Sequence, residues 1–386
     1  MTRLDNGRVA FGVAIEDTPR VLVFTSLGTG ELRQVAIRTG SDLSKRIPRN
    51  EGSRDLQRVT PGLAPDGSVI AYADYRDRYQ NKRRRIACVP ASTDTSKLVF
   101  DGTPLLADGQ PLAPAAQGAD AGVPEEGILT ELRDCRTFVD PGGKGVWGIG
   151  TQLRGEKQPD GTRKWSMRLL ADPQDGRPPQ KLHQVDFDEP PKTLHTFEAP
   201  VVQRLKNDSY LLAARYRGAL FTWLLDSVKQ PSGQHQVYRG GWPTLPRMLP
   251  DDGNLLLLTS QKVGKEYSLA YAPIADGDPK LPQALRKLVF EGHGSSLAEP
   301  TFARADDKRW VSFHTADWRK GVLTIVPVDE KLSPVGAAHT VSDPNETVYE
   351  SHLVGLENGE LLAVYIQNGA PGADLVSRRL QCWVRK

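Results

Sequence analysis

One phrase recurs along this chain about six or seven times: a short apolar strand, a turn around Asp-Gly or Asn-Gly, then a more apolar strand. Its clearest copy is Pro61-Gly-Leu-Ala-Pro-Asp-Gly-Ser-Val-Ile-Ala-Tyr-Ala-Asp74. Looser copies are Asp252-Gly-Asn-Leu-Leu-Leu-Leu-Thr-Ser260 and Glu357-Asn-Gly-Glu-Leu-Leu-Ala-Val-Tyr365. A repeat of about 50 residues carrying four strands predicts an all-β chain, a β-propeller. The copies give about seven four-stranded blades, with six as the alternative, in a single domain over residues 1–386. The second strand of each copy is nearly continuous in apolar residues, as expected of a strand covered on both faces.

The ends depart from the repeat. Leu4-Asp-Asn-Gly-Arg-Val-Ala-Phe11 matches Leu356-Glu-Asn-Gly-Glu-Leu-Leu-Ala363, so the chain is expected to open between a first and a second strand, with the innermost strand missing. The last copy is expected to stop after its third strand, leaving the terminal blade incompletely closed. Residues 103–127, rich in Pro, Ala and Gly, are read as a long loop between blades, and the basic stretch 39–58 as a solvated connector.

Composition excludes several classes of function. Fifty basic residues against 47 acidic ones leave a net charge of +3, which gives no global field for nucleic acid or an acidic membrane. Three cysteines, Cys88, Cys135 and Cys382, are too few for a disulfide framework. The seven histidines never fall at a metal-ligand spacing such as HxxxH. There is no Gly-x-Ser-x-Gly elbow and no sialidase-type Ser-x-Asp-x-Gly-x-x-Trp box. These absences weigh against an enzyme, although a glycosidase with carboxylates drawn from different blades stays open, because geometry rather than spacing decides that chemistry. No apolar run is long enough to span a membrane and no cleavable leader is visible, which predicts the cytoplasm; an export signal lost upstream would place the protein in the periplasm.

The copy Val59-Thr-Pro-Gly-Leu-Ala-Pro-Asp-Gly-Ser-Val-Ile-Ala-Tyr-Ala-Asp-Tyr75 resembles the repeat of TolB-type bacterial propellers, with a fair echo at 299–314 and at 242–260. The resemblance covers most of the chain as architecture and brings no catalytic motif. It implies a non-catalytic protein- or peptide-binding scaffold, or the sensor or docking domain of a larger bacterial protein with a fused domain upstream. The alternative is a carbohydrate-active propeller, lectin or glycosidase, using carboxylates and aromatic residues at the channel mouth.

The loops leading into the innermost strands nominate that site. They contain Thr60-Pro61, Asp134-Cys135, Glu198-Ala199-Pro200, Pro243 to Pro246, Glu299-Pro300 and Glu350-Ser351-His352. Four of these positions carry a carboxylate: Asp134, Glu198, Glu299 and Glu350. Such a ring would focus negative potential on a basic peptide or a bound cation in the channel, the one cofactor-like ligand anticipated. His352 and Trp242 complete the candidate set, with Tyr75, Arg76, Arg217, Trp318 and Tyr349 as further interface residues. Trp147, Trp165, Trp223 and Trp310 are read as plugs between blades. The run Lys82 to Arg85 is read as a solvated sheet edge.

Overall fold

A computed structural model describes the backbone of residues 2–3, 9–15, 18–26, 32–39, 54–63, 69–78, 84–94, 97–99 and 131–139. It describes 146–380 apart from 173–179, 188–196, 227–229, 240–245, 293–295, 316–320, 346, 357–358 and 370–371. The 103–127 segment, Trp242 and Trp318 therefore lie outside the described residues. Side chains are described mainly from Glu156 onward, with Ile149 before it.

The described structure is all strand. The strands fall into two compact units, 1–200 with 228–230, and 201–227 with 231–386. In the first unit β1 (Thr2–Arg3), β2 (Val9–Ile15), β3 (Thr18–Ser26) and β4 (Leu32–Thr39) form a meander. A second meander has β5 (Arg54–Leu63), β6 (Val69–Arg78), β7 (Arg84–Asp94) and β8 (Lys97–Val99), and β4 pairs parallel with β8 to join the two into one eight-stranded sheet. A separate antiparallel sheet follows with β9 (Glu131–Val139), β10 (Val146–Lys157), β11 (Arg163–Asp172) and β12 (Gln180–Phe187).

Two expectations fail here. The innermost strand of the first copy is present, though only two residues long, because Thr2 and Arg3 pair with Ala10 and Val9. Residues 54–58 are the start of β5 rather than solvated connector: they pair with the second strand around Tyr75 and Arg76, so Thr60 and Pro61 sit in mid-strand, opposite Tyr72 and Ala71.

In the second unit each sheet is again an antiparallel meander, except that β13 straddles the boundary between the units. The strands are β13 (Glu198–Arg204), β14 (Tyr210–Tyr216), β15 (Ala219–Leu225) and β16 (Pro231–Arg239), followed by β17 (Arg247–Asp251), β18 (Asn254–Val263), β19 (Glu266–Ala275) and β20 (Arg286–Lys287). Then come β21 (Leu297–Ala305), β22 (Lys308–Thr315), β23 (Leu323–Val328) and β24 (His339–Thr340), and last β25 (Thr347–Gly355), β26 (Leu361–Gly369) and β27 (Gly372–Leu380). The final sheet has three strands among the described residues, as the sequence anticipates. Consecutive four-stranded meanders are the strand order of propeller blades, and the fold is all-β of that class.

The local chemistry is that of the repeat. Asp252 and Gly253 have φ of 42° and 79°, and Arg217 and Gly218 of 47° and 72°. Two successive positive φ values make the tight turns that match strand twist. The continuous apolar runs of the second strands are buried on both faces. Leu255 and Leu257 face Leu211 and Ala213, while Leu256 and Leu258 face Phe302, Val311 and Phe313. Ala303, Trp310 and Ile325 meet Leu353, Leu361, Ala363 and Tyr365 in a further layer. Trp223 and Trp310 are buried, as their reading as plugs requires.

Candidate functional site

The first strands of three consecutive sheets, β17, β21 and β25, bring together one guanidinium, two carboxyl groups and an imidazole. β21 is bulged: Ala298 pairs with His314 and Thr301 with Ser312, so Glu299 and Pro300 together oppose Phe313. Glu299 has φ 51°, which a side-chain-bearing residue seldom adopts outside such irregularities. The bulge turns Glu299 out of the regular alternation, and its backbone N–H donates to the hydroxyl of Ser260 at 3.4 Å. β25 is bulged at the same level, between Val348 opposite Gln367 and Ser351 opposite Tyr365, which places Glu350 in the irregularity. β9 repeats the device at Asp134 and Cys135, between Arg133 opposite Thr151 and Arg136 opposite Ile149. Asp134 and Glu299 hold the same place in their bulges.

Arg247, the first residue of β17, reaches across to both neighbours. Its Nη2 lies 3.6 Å from Oε2 of Glu299. Its Nη1 donates to the carbonyl of Ser351 and lies 3.4 Å from Nδ1 of His352. Only a fifth of the Glu299 side chain reaches solvent, and Oε2 is buried with no hydrogen-bond partner among the described residues. The protein packed around it dehydrates the carboxyl and pushes its pKa up to about 7. Arg247 opposes that shift and the charge of Glu350 adds to it. Beneath them His314, Ser312 and Thr301 share the face of their sheet that carries Trp310, toward the β25–β27 sheet. His314 Nδ1 and the hydroxyls of Thr301, Ser312 and Ser351 are buried there without hydrogen-bond partners among the described residues. Burial, helped by Arg247, pushes His314 down to about 4, so it is a neutral imidazole at physiological pH.

Of the residues nominated from sequence, Glu299 and His352 thus meet Arg247, and Glu350 is close enough for its charge to act on Glu299. Asp134 and Glu198 lie in first strands, β9 and β13, with side chains outside the described set, and Trp242 lies outside it altogether. Tyr75, Arg76 and Tyr349 are placed as strand residues only. Arg217 sits in the β14–β15 turn with its guanidinium 5.6 Å from the Tyr216 ring centroid. The sequence reading missed Arg247, Ser260 and His314. Arg247 follows directly on the nominated Pro243 to Pro246, and a one-residue extension would have included it. His314 had no local signal, because it reaches the site through its cross-strand partner Ala298. Among the described residues no group of three or more His, Cys, Asp or Glu side chains is arranged to hold a metal ion, and no helix is long and apolar enough to cross a membrane.

No family model and no curated protein sequence matches the chain. Solved structures do. One is a mutant of the NanB sialidase from Streptococcus pneumoniae, at 13% identity over 98% of this chain and 67% of that one, with a TM-score of 0.48. Another is the Trypanosoma rangeli sialidase in complex with sialic acid, at 13% over 97% and 59%, TM-score 0.43. A third is the endo-arabinase from Bacteroides thetaiotaomicron, at 13% over 73% and 96%, TM-score 0.37. These proteins are named as enzymes, not as binding scaffolds. That finding overturns the expectation of a non-catalytic protein- or peptide-binding module. The motif-based case for such a module rested on the absence of linear catalytic signatures, and a site assembled from bulges on separate strands leaves none.

Proposed function

We propose that this chain is a carbohydrate-active propeller, a glycoside hydrolase, in which Glu299 is the proton-donating carboxyl. One observation carries the reading: a carboxyl held near pKa 7 beside a second carboxyl group, Glu350, which stays exposed. Glycoside hydrolysis needs two carboxyl groups in unlike environments, one protonated at working pH to assist the leaving oxygen and one ionised. Desolvation raises Glu299 into the range that a proton donor needs, and the exposed Glu350 is the second carboxyl group, close enough for its charge to act on Glu299. Arg247 contributes a fixed positive charge that binds and orients an oxygen-rich ligand without joining the proton transfer.

The test is turnover of a panel of chromogenic glycosides, sialosides and arabinosides included, by the wild-type protein and by Glu299→Gln. The variant keeps the shape and loses the proton, and its kcat is expected to fall by roughly 10²–10⁴. Wild-type protein that turns over no glycoside and retains no glycan on an array overturns the reading.

A further inference from the structure

The bulges of β21 and β25 both end on a hydroxyl side chain. Regular pairing resumes at Thr301, opposite Ser312, and at Ser351, opposite Tyr365. Two contacts fix how these first strands lie. Arg247 meets Glu299 and the Ser351 carbonyl, and further along both strands the Arg304 carbonyl lies against Gly355. The strands therefore run side by side in the same direction, and Thr301 and Ser351 stand at one level of the layer between their sheets.

Ser312 and His314 complete that level from β22, on the face that Thr301 shares. Thr301 and Ser351 are 0% exposed, Ser312 is 1% and His314 is 7%. The three hydroxyls and Nδ1 of His314 have no hydrogen-bond partner among the described residues. Left dry, the four groups would forfeit the bonds that water gives them in the unfolded chain, a sum comparable with the stability of a whole domain. Closer approach of the sheets, which would pair the groups directly, is barred where the Arg304 carbonyl already touches Gly355.

What suits these groups is a small neutral molecule that both donates and accepts. Each hydroxyl carries one hydrogen and two lone pairs, and the imidazole, held neutral by burial, can do either at Nδ1. None of the four is charged. Above them the guanidinium of Arg247 repels a cation, and the charge of Glu350 repels an anion.

We propose that Thr301, Ser312, His314 and Ser351 form a binding site for buried water, and that this water pins the bulge of β21 to the bulge of β25. A buried water makes about three hydrogen bonds, so the four groups hold about one or two molecules. Glu299 and Glu350 each sit in one of the pinned bulges, so the site fixes how far apart the two carboxyl groups stand. That positioning half rests on the glycoside reading and deepens it, whereas the binding of water does not depend on it.

The water is read in the free protein, with no glycan present. A crystal structure of the wild-type protein is expected to show a water oxygen bonded to most of the four groups. Direct bonds among the four, or an ion in place of water, overturn the site. In solution, ¹⁷O relaxation dispersion is expected to count about one or two fewer long-lived waters in the double variant Thr301→Val with Ser351→Ala than in the wild type. An equal count overturns it as well.

The positioning half is read by kinetics. Thr301→Val keeps the shape and removes the hydroxyl, and it is expected to lower kcat about tenfold with KM within about threefold of wild type. Thr301→Ser keeps the hydroxyl and is expected to stay within about threefold in both. A Thr301→Val protein with wild-type kcat, or a Thr301→Ser protein as slow as Thr301→Val, sinks that half. If the wild-type protein turns over no glycoside, the functional reading and the positioning half fall together, and the crystal structure still decides the water site.

Discussion

Oε2 of Glu299 lies 3.6 Å from Nη2 of Arg247, yet the carboxyl is pushed up to about 7 rather than down. At an effective dielectric constant near 20, opposite charges at that distance attract by roughly 4–5 kcal/mol, enough alone to lower a carboxyl by about three pKa units. The upward shift means that dehydration, aided by Glu350, outweighs this attraction. Arg247 therefore moderates a buried acid, and its removal is expected to raise Glu299 beyond 7. Glu350→Gln removes the repulsion and is expected to lower it. Carboxyl ¹³C titration of Arg247→Met and Glu350→Gln checks both signs, and shifts of equal sign in the two variants would contradict the arrangement.

Glu299 and His314 give stability opposite dependences on pH. Glu299 is raised from 4.5 to about 7, so the folded state holds the extra proton in that window and stability falls as pH rises through it. His314 is lowered from 6.5 to about 4, so the unfolded state holds the extra proton and stability rises with pH from 4 to 6.5. Each shift corresponds to about 3–4 kcal/mol, and between 4.5 and 6.5 the slopes oppose each other. Wild-type urea midpoints are expected to be nearly flat there. Glu299→Gln should show stability climbing from pH 4 to 6.5 and then level. His314→Gln should show it declining from 4.5 to 7. Parallel profiles for the two variants would refute the assignment.

If Glu299 donates the proton in catalysis, kcat/KM falls on the alkaline side with an apparent pKa near 7, the value of the free protein. Glu350→Gln should move that limb to lower pH, in the same direction as the titration. An alkaline limb that ignores Glu350 would assign the proton to another group.

The alternation and turn chemistry of the repeat made most strands legible. The spans Tyr210–Tyr216 and Ala219–Leu225 can be read directly from two apolar runs separated by Arg217-Gly218, because a two-residue turn leaves no freedom in register. The first strands were harder. Thr60 and Pro61 looked like loop residues because proline there suggested a strand start, but Arg54 to Val59 already lie in the paired strand, which shows only against its partner. Glu299 and Glu350 were legible as acids at strand starts. Their bulges were not, since an extra residue in one strand shows only against its partner. Arg247 was invisible as a site residue for the same reason: its partners are 52, 104 and 105 positions away, at Glu299, Ser351 and His352.

Gly355 closes β25 where the backbone of β21 passes, and a Cβ built there would overlap the carbonyl of Arg304. The obstacle is main chain in a paired strand, which cannot rotate aside as a side chain would. Gly355→Ala is expected to cost about 3 kcal/mol, read by urea denaturation, by forcing apart the layer of Ala303, Ala305, Leu353 and Leu361. A loss below about 1 kcal/mol would mean that the two sheets stand further apart than their contacts imply.

Asp251, at the end of β17, is buried and receives Nε of Arg309 from β22 at 3.0 and 3.2 Å on its two oxygens. The pair ties adjacent sheets at the turn that begins with Asp252. Its net worth is small, because dehydrating two charges offsets most of their attraction, but breaking it from one side strands a buried carboxylate. Arg309→Met is accordingly expected to lose about 3 kcal/mol, whereas Asp251→Leu combined with Arg309→Met should recover most of that loss. The two single variants and the double, compared by urea denaturation, separate the two accounts. A double variant as unstable as the sum of the singles would mean that each residue stabilises the protein through other contacts, and that the charge pair does not hold the sheets together.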